Sequence, residues 1–271
     1  ADPNMKAMMG LFFHEYPWHT AVCGDMDLTG HRKPQSYYRD ILWNGGDRVY
    51  ATVRLPEPEG KKIVAVGWAM YPTLPTWNWP GEEGKTLTVE VYSGTERVQL
   101  YLNGKLIGER PTGREQEFKA RFEVPYEPGT LKAVGLRGGH ASAEEVLTTA
   151  GPVAGLRLKA DRTVINADGE DLSFVTVEAV DAAGLPDLHA NQEVEFSISG
   201  PGTIAAVGNG DGEDADSYQA THRKLYEGRA LVVIRTTRKA GAVTLTAAAA
   251  GLRAGTVAIE TKSAAAEPEL K

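Results

Sequence analysis

The 271-residue sequence predicts a mainly β fold, two tandem antiparallel β-sandwiches behind a short loop-and-helix segment. Three observations predict it. One stretch near the front has helical periodicity. Everything after residue 48 switches to short alternating strands punctuated by turn residues. A Gly151-Pro152 step divides those strands into two blocks of about a hundred residues each, a usual domain size.

The helix is expected from Pro34 through Trp43. Pro34 falls in the first turn, where its missing N–H costs nothing. Tyr38, Ile41 and Leu42 stand at i, i+3 and i+4 and predict one apolar stripe. Asn44-Gly45-Gly46 stops the helix. Residues 1–48 form one compositional block, rich in His, Trp, Tyr and Met. A lone helix before so many strands has nothing of its own kind to pack on, so this block reads as the last piece of a larger domain.

Residues 49–150 read as the first sandwich. Thr86 to Tyr92 alternates apolar and polar residues, as a half-buried strand does. Arg97 to Leu102, then Asn103-Gly104, then Lys105-Leu106-Ile107 is a strand–turn–strand hairpin. Phe118 to Val124 and Thr130 to Leu136 are further strands, separated by the turn chemistry of Pro125-Tyr126-Glu127-Pro128-Gly129. Residues 151–262 read as a second immunoglobulin-like sandwich, with strands at Leu156 to Ala160, Leu172 to Val180, Glu193 to Ile198, Ala230 to Thr236 and Ala242 to Ala249. Ala182-Ala183-Gly184-Leu185-Pro186 is a turn. Residues 263–271 are Ala/Glu-rich and are expected to be disordered.

Composition narrows the function classes. Apolar residues make up 42% and aromatics 8%, enough to build cores. A net charge of -7 argues against nucleic acid, whose phosphates require a basic excess. No run approaches the roughly 20 apolar residues of a membrane-spanning helix, so no membrane partner is expected. Cys23 is the one cysteine, which excludes an intrachain disulfide and a cysteine-based metal cluster. Ala1-Asp2-Pro3-Asn4 does not read as a basic-then-apolar leader. Neither a phosphate-binding glycine loop, a Ser-His-Asp order nor zinc-ligand spacing is present. No cofactor and no metal are expected.

Three blocks carry a resemblance. Tyr16-Pro17-Trp18, the Gly24-Asp25-Met26-Asp27-Leu28-Thr29-Gly30 loop and Lys33-Pro34-Gln35-Ser36-Tyr37-Tyr38-Arg39 look like the end of the catalytic (β/α)8 barrel in family two glycoside hydrolases, the bacterial β-galactosidase-like enzymes. Val89 to Ser93, Leu100 to Lys105, Pro125 to Gly129 and Leu131 to Gly135 are similar to the sandwich that follows that barrel. Leu156 to Asp161, Ala167-Asp168-Gly169, Leu172 to Val175, Gly200-Pro201-Gly202 and Val207 to Asp211 look like its terminal invasin-like module. The resemblance covers nearly the whole chain, in the family's order. It implies a barrel remnant over residues 1–48, a carbohydrate substrate, and a catalytic barrel of the same polypeptide as partner. It also implies a periplasmic or secreted protein, and a homodimer is left open.

The resemblance implies retaining chemistry by two glutamates, an acid/base and a nucleophile about 5–5.5 Å apart. Neither motif is present here. Glu15, in Phe13-His14-Glu15-Tyr16, does not match the nucleophile's setting, so no catalytic residue is assigned and the chain alone is expected to be inert. The alternative is a stand-alone carbohydrate-binding or adhesion module of Ig-like domains. The front helix argues against it, because a free module has no use for one barrel helix.

The candidate sugar-contacting residues are Trp18, Asp25, Asp27, Trp77 and Trp79. Asp25 and Asp27 stand two apart in a loop; on extended backbone they share a side. There they could meet a sugar hydroxyl or a cation, or else cap the loop and the coming helix. Trp18 with His14 and His19 could stack on and bond a sugar, or pack against a core; a metal site there lacks a carboxylate at suitable spacing. Trp68, Tyr71, Trp77 and Trp79, stiffened by Pro72, Pro75 and Pro80, allow three placements: a contact with a neighbouring domain, a sugar platform or lid, or internal core. The acidic run Asn209 to Asp216 fails the EF-hand pattern, since counting from Asp211 the sixth and twelfth positions hold Asp216 and His222. A weak calcium site or a solvated turn remain. Without the barrel, residues 1–48 have three open fates: mobile, repacked on the first sandwich, or buried in a dimer.

Overall fold

The computed structural model describes residues 24–57, 60, 62–63 and 70–263. Trp18, His14, His19, Cys23, Trp68 and the tail from residue 264 lie outside the described residues. The chain divides into two units between Ala150 and Gly151.

The first unit opens with helix α1, Pro34–Asn44. Its strands are β1 Val49–Arg54, β2 Thr73–Leu74, β3 Thr86–Ser93, β4 Arg97–Leu102, β5 Lys105–Pro111, β6 Lys119–Pro125, β7 Thr130–Arg137 and β8 His140–Thr148. They form two four-stranded sheets, β2-β1-β3-β6 and β5-β4-β7-β8. Strand β6 shows why: Ala120, Phe122 and Val124 are buried while Arg121 and Glu123 are exposed, so a period of two gives one core-facing side. The Asn103-Gly104 turn joins β4 to β5, both residues having positive φ, 50° and 80°, as a tight hairpin's right-handed twist requires. Val53, Val89, Leu100, Phe122, Leu131 and Trp77 fill the space between the sheets.

The second unit is built from β9 Val153–Ala160, β10 Val164–Ala167, β11 Leu172–Asp181, β12 Glu193–Ser199, β13 Gly202–Gly208, β14 His222–Lys224, β15 Arg229–Thr236, β16 Gly241–Ala248 and β17 Gly255–Ser263. One sheet runs β10-β17-β16-β12-β14 and the other β13-β15-β11-β9. All pairs are antiparallel except β10 with β17. Val175, Val177 and Ala179 of β11 meet Val232 and Ile234 of β15 and Leu245 of β16 in one core. No helix among the described residues is long and apolar enough to cross a membrane.

The helix packs on the first sandwich, with one difference from the predicted stripe. Ile41 is buried and Tyr38 half-buried, but Leu42 is exposed. A residue one step on from Ile41 turns about 100° away from it, and the sandwich covers only a narrow arc. The helix end comes so close to β3 that a Cβ on Gly94 would lie 2.1 Å from the Gly46 carbonyl oxygen; only glycine fits there.

Candidate functional site

The loop before α1 is a closed polar turn. Asp27 Oδ1 accepts the Thr29 N–H at 2.8 Å, the Thr29 hydroxyl at 2.8 Å and the His31 N–H at 2.9 Å. Asp27 therefore does the loop capping that was one of its two readings. Asp25 pairs with Arg39 of α1, and Gln35 Nε2 donates to the Gly24 carbonyl at 2.8 Å. The two aspartates thus have different jobs, one holding the turn together and one fixing it to the helix.

Asp40 is the hub on the sandwich side of α1. It accepts from Asn44 Nδ2 at 2.6 Å, Arg48 at 2.6 Å and the Tyr50 hydroxyl at 2.8 Å. The bonds from Asn44 and Tyr50 hold its carboxyl below the usual range, with Arg48 adding to them against a desolvation that works the other way. The Tyr37 and Tyr50 rings lie 4.7 Å apart, and the Arg32 guanidinium sits 4.2 Å over Tyr37. Further along, Tyr38 tilts against Tyr92 at 5.4 Å, with the Lys119 ammonium 3.8 Å from the Tyr38 centroid.

Next to Tyr92 on the outer side of β3 lies Glu90, which is buried. Arg54 approaches it at 2.7 Å, Arg121 at 3.0 Å, and the Tyr92 hydroxyl donates to it at 3.0 Å. Burial alone would push this carboxyl up; the Arg54 bond and charge, the Tyr92 bond and Arg121 outweigh burial and hold it down. Burial, then the Glu90 charge, push the Tyr92 hydroxyl far up. Burial pulls the Lys119 ammonium down, opposed by Glu90 and Glu117.

The opposite side of α1 carries Gln35, Arg39, Leu42 and Trp43, at i, i+4, i+7 and i+8, one helical face. Its front half is spent holding the loop. Its rear half presents Leu42 and Trp43, and Trp43 is 76% exposed. Met26 and Leu28 of the tethered loop are exposed as well. Sequence reasoning missed this apolar set, because it assigned Leu42 to the buried stripe and gave Trp43 no role.

The two remaining candidates of the first sandwich are corrected. Trp77 is fully buried and Trp79 nearly so. The Trp77 indole N–H donates to the Glu127 carbonyl at 2.9 Å, and its ring meets Tyr126 edge-on at 5.1 Å. The Trp79 indole N–H donates to the Thr76 carbonyl at 3.1 Å. With their faces packed and their N–H groups bonded inside the sandwich, they are core and not a sugar platform.

In the second unit the acidic loop is organised by a protein cation. Arg223 is 1% exposed. It pairs with Asp214 at 2.9 Å and donates to the carbonyls of Ser217 at 2.8 Å and Asp216 at 3.1 Å. Asn209 Nδ2 donates to Asp214 at 2.7 Å. Desolvation raises the Asp214 carboxyl, and the bonds from Arg223 and Asp216 more than offset it, leaving it lowered. The loop is partly solvated, with Glu213, Ala215 and Asp216 exposed, while Asp214 is turned inward onto the Arg223 guanidinium. Among the described residues, the metal-ligating side chains that come together are Glu193, Glu195 and His222.

Comparison with known proteins places this geometry. Residues 156–258 match the model for glycoside hydrolase family 2 C-terminal domain 5, and residues 84–143 match a domain of unknown function, DUF4982. A β-galactosidase of Bacteroides ovatus is 37% identical over 239 residues, 88% of this chain and 25% of that protein. The crystal structure of a glycosyl hydrolase family 2 member from Bacteroides cellulosilyticus is 38% identical, covers 92% of this chain and 33% of its own, and superposes with a TM-score of 0.86.

The chain belongs to the C-terminal region of glycoside hydrolase family 2.

A β-glycosidase from Bacteroides vulgatus aligns at 25% identity with a TM-score of 0.77, over 91% of this chain and 29% of that one. The chain thus spans about a quarter to a third of the length of these relatives. Within the family's C-terminal region, the match reaches past the sandwiches to nearly the whole chain.

Proposed function

We propose that this chain is the non-catalytic C-terminal portion of a retaining, β-galactosidase-like glycoside hydrolase acting on β-linked glycans. Its sandwiches support a catalytic barrel of the same polypeptide. The observation that carries this reading is the match of 88% of this chain to 25% of a β-galactosidase. The apolar rear half of α1, with Leu42, Trp43, Met26 and Leu28 exposed, supports it as the face that meets the barrel. Leu42 and Trp43 are neighbours on one helical face, and a large exposed indole beside a leucine is a natural contact point for a further domain. Asp25, Asp27 and Trp18 then lie at the border of the sugar pocket, where loops at a barrel's C-terminal face build active sites.

The test assays the chain alone on chromogenic β-galactosides and β-glucuronides. No turnover is expected. Turnover abolished by substituting any residue of this chain would overturn the reading. Tight glycan binding by the isolated chain, with no barrel sequence in the upstream reading frame, would favour a stand-alone module.

A further inference from the structure

We propose that Glu193, Glu195 and His222 form a divalent-cation site of the zinc class on the second sandwich. The inference is independent of whether the chain serves a barrel. In the β12–β14 ladder, Glu195 stands opposite His222, Val194 opposite Arg223 and Glu193 opposite Lys224. Val194 and Arg223 are buried, so the alternation of the pleat sends Glu193, Glu195, His222 and Lys224 to the outer face. The three ligand atoms lie within 4.8 Å of one another. None of the three side chains has an ion-pair or hydrogen-bond partner among the described residues, although Lys224 stands on the same face.

The frame around the three is rigid. Arg223, flanked by His222 and Lys224, is locked inward by Asp214 and by the carbonyls of Asp216 and Ser217. That fixes the backbone presenting His222. On its other side Glu195 pairs with Ala248 of β16, whose methyl leaves the carboxylate open. Bonds of about 2.0–2.2 Å to a tetrahedral ion require donors about 3.3 Å apart. Both glutamates are exposed, so rotamer changes bring them there. One imidazole with two carboxylates suits zinc better than calcium or magnesium, which take oxygen ligands. Three protein ligands leave the fourth position to water. A bound ion would clasp edge strand β14 to β12.

The experiment titrates the chelator-treated full chain with zinc chloride by calorimetry and repeats the thermal melt at saturation. One ion is expected to bind in the micromolar range and to raise the melting temperature. His222→Ala is expected to weaken binding at least tenfold and to remove the thermal shift. Glu195→Gln should do the same, and Lys224→Met should tighten binding. These positions lie on the outer face, so the melt without zinc is expected to stay at the wild-type temperature. No heat up to millimolar zinc, undiminished binding by both weakened variants, or equal binding of magnesium would overturn the site.

Discussion

Glu90 in the first sandwich and Arg223 in the second set the same physical problem with opposite signs, a charge out of water in a β-sandwich. The solutions differ in place. Glu90 points away from the inter-sheet core, since Val89 and Val91 beside it fill that core. Side chains of β1, β3 and β6 bond its carboxylate, and on the same outer face Tyr38 of α1 roofs Tyr92, whose hydroxyl donates to Glu90. Arg223 is buried within its own unit, closed over by its own acidic loop. The first sandwich thus accepts an added helix beside its buried charge, whereas the second closes one of its own loops over its buried charge. The outward docking face proposed above sits on the sandwich that already accepts a helix.

The strongest way to break this comparison is Arg223→Ala. It leaves Asp214 without its ion-pair partner and frees the three carbonyls of Val207, Asp216 and Ser217, a loss of about 3–5 kcal/mol from removing one partner of a buried pair. Urea unfolding should show the second unit melting early. A loss under about 1 kcal/mol would mean that the loop re-solvates and the closure is weak. Glu90→Ala comes next, at about 2–3 kcal/mol, because Arg54 and Arg121 keep part of their hydration when the carboxylate goes; both are partly exposed. This variant should also loosen α1, which proteolysis near Gly45 would report. Lys119→Ala is smaller, about 1 kcal/mol from lost cation–π contact. Faster amide exchange of α1 with unchanged exchange in β4 and β7 would confirm that Lys119 acts on the roof.

The same contrast explains what could be read from the sequence. Alternation from Thr86 to Tyr92 and the Asn103-Gly104 hairpin were legible because they are local, decided by neighbouring residues. Strands β1, β2, β8, β10, β13, β14 and β17 went unread: β2 and β14 are short, β8 is largely exposed, and β1 and β13 do not alternate cleanly between buried and exposed residues. Trp77 and Trp79 were legible as aromatic anchors but not as core, since burial depends on Tyr126 and Glu127 nearly fifty residues on. The charge of the 209–216 loop was visible, but its partner Arg223 was not, because nothing local says that an arginine seven residues further on folds back beneath it. Glu193 and Glu195 are adjacent in pattern, whereas His222 joins them only through strand pairing.

The smallest effect tests how far the first sandwich tolerates charge without a roof. Glu145 lies on edge strand β8 opposite Ala133, a core residue, and burial alone raises its carboxyl above the ordinary 4.5. The folded state therefore holds this proton more tightly than the unfolded chain does. Deprotonation costs stability: the cost is absent below the unfolded value, grows as pH rises through the raised folded value, and is full above it. Glu145→Gln removes the charge and keeps the shape. It should raise the melting temperature at pH 7 by about 1–3 °C and lose its advantage near pH 4. Glu90→Gln should behave oppositely, because the Glu90 carboxyl is held down: its penalty is full at pH 7 and fades as acid protonates the wild-type carboxylate. Two carboxylates of one sandwich would then titrate stability in opposite directions, the roofed one stabilising when charged and the unroofed one when neutral. A Glu145→Gln variant with a pH-independent effect would show that the β8 edge opens to water and that only the roofed face of this sandwich is an interior.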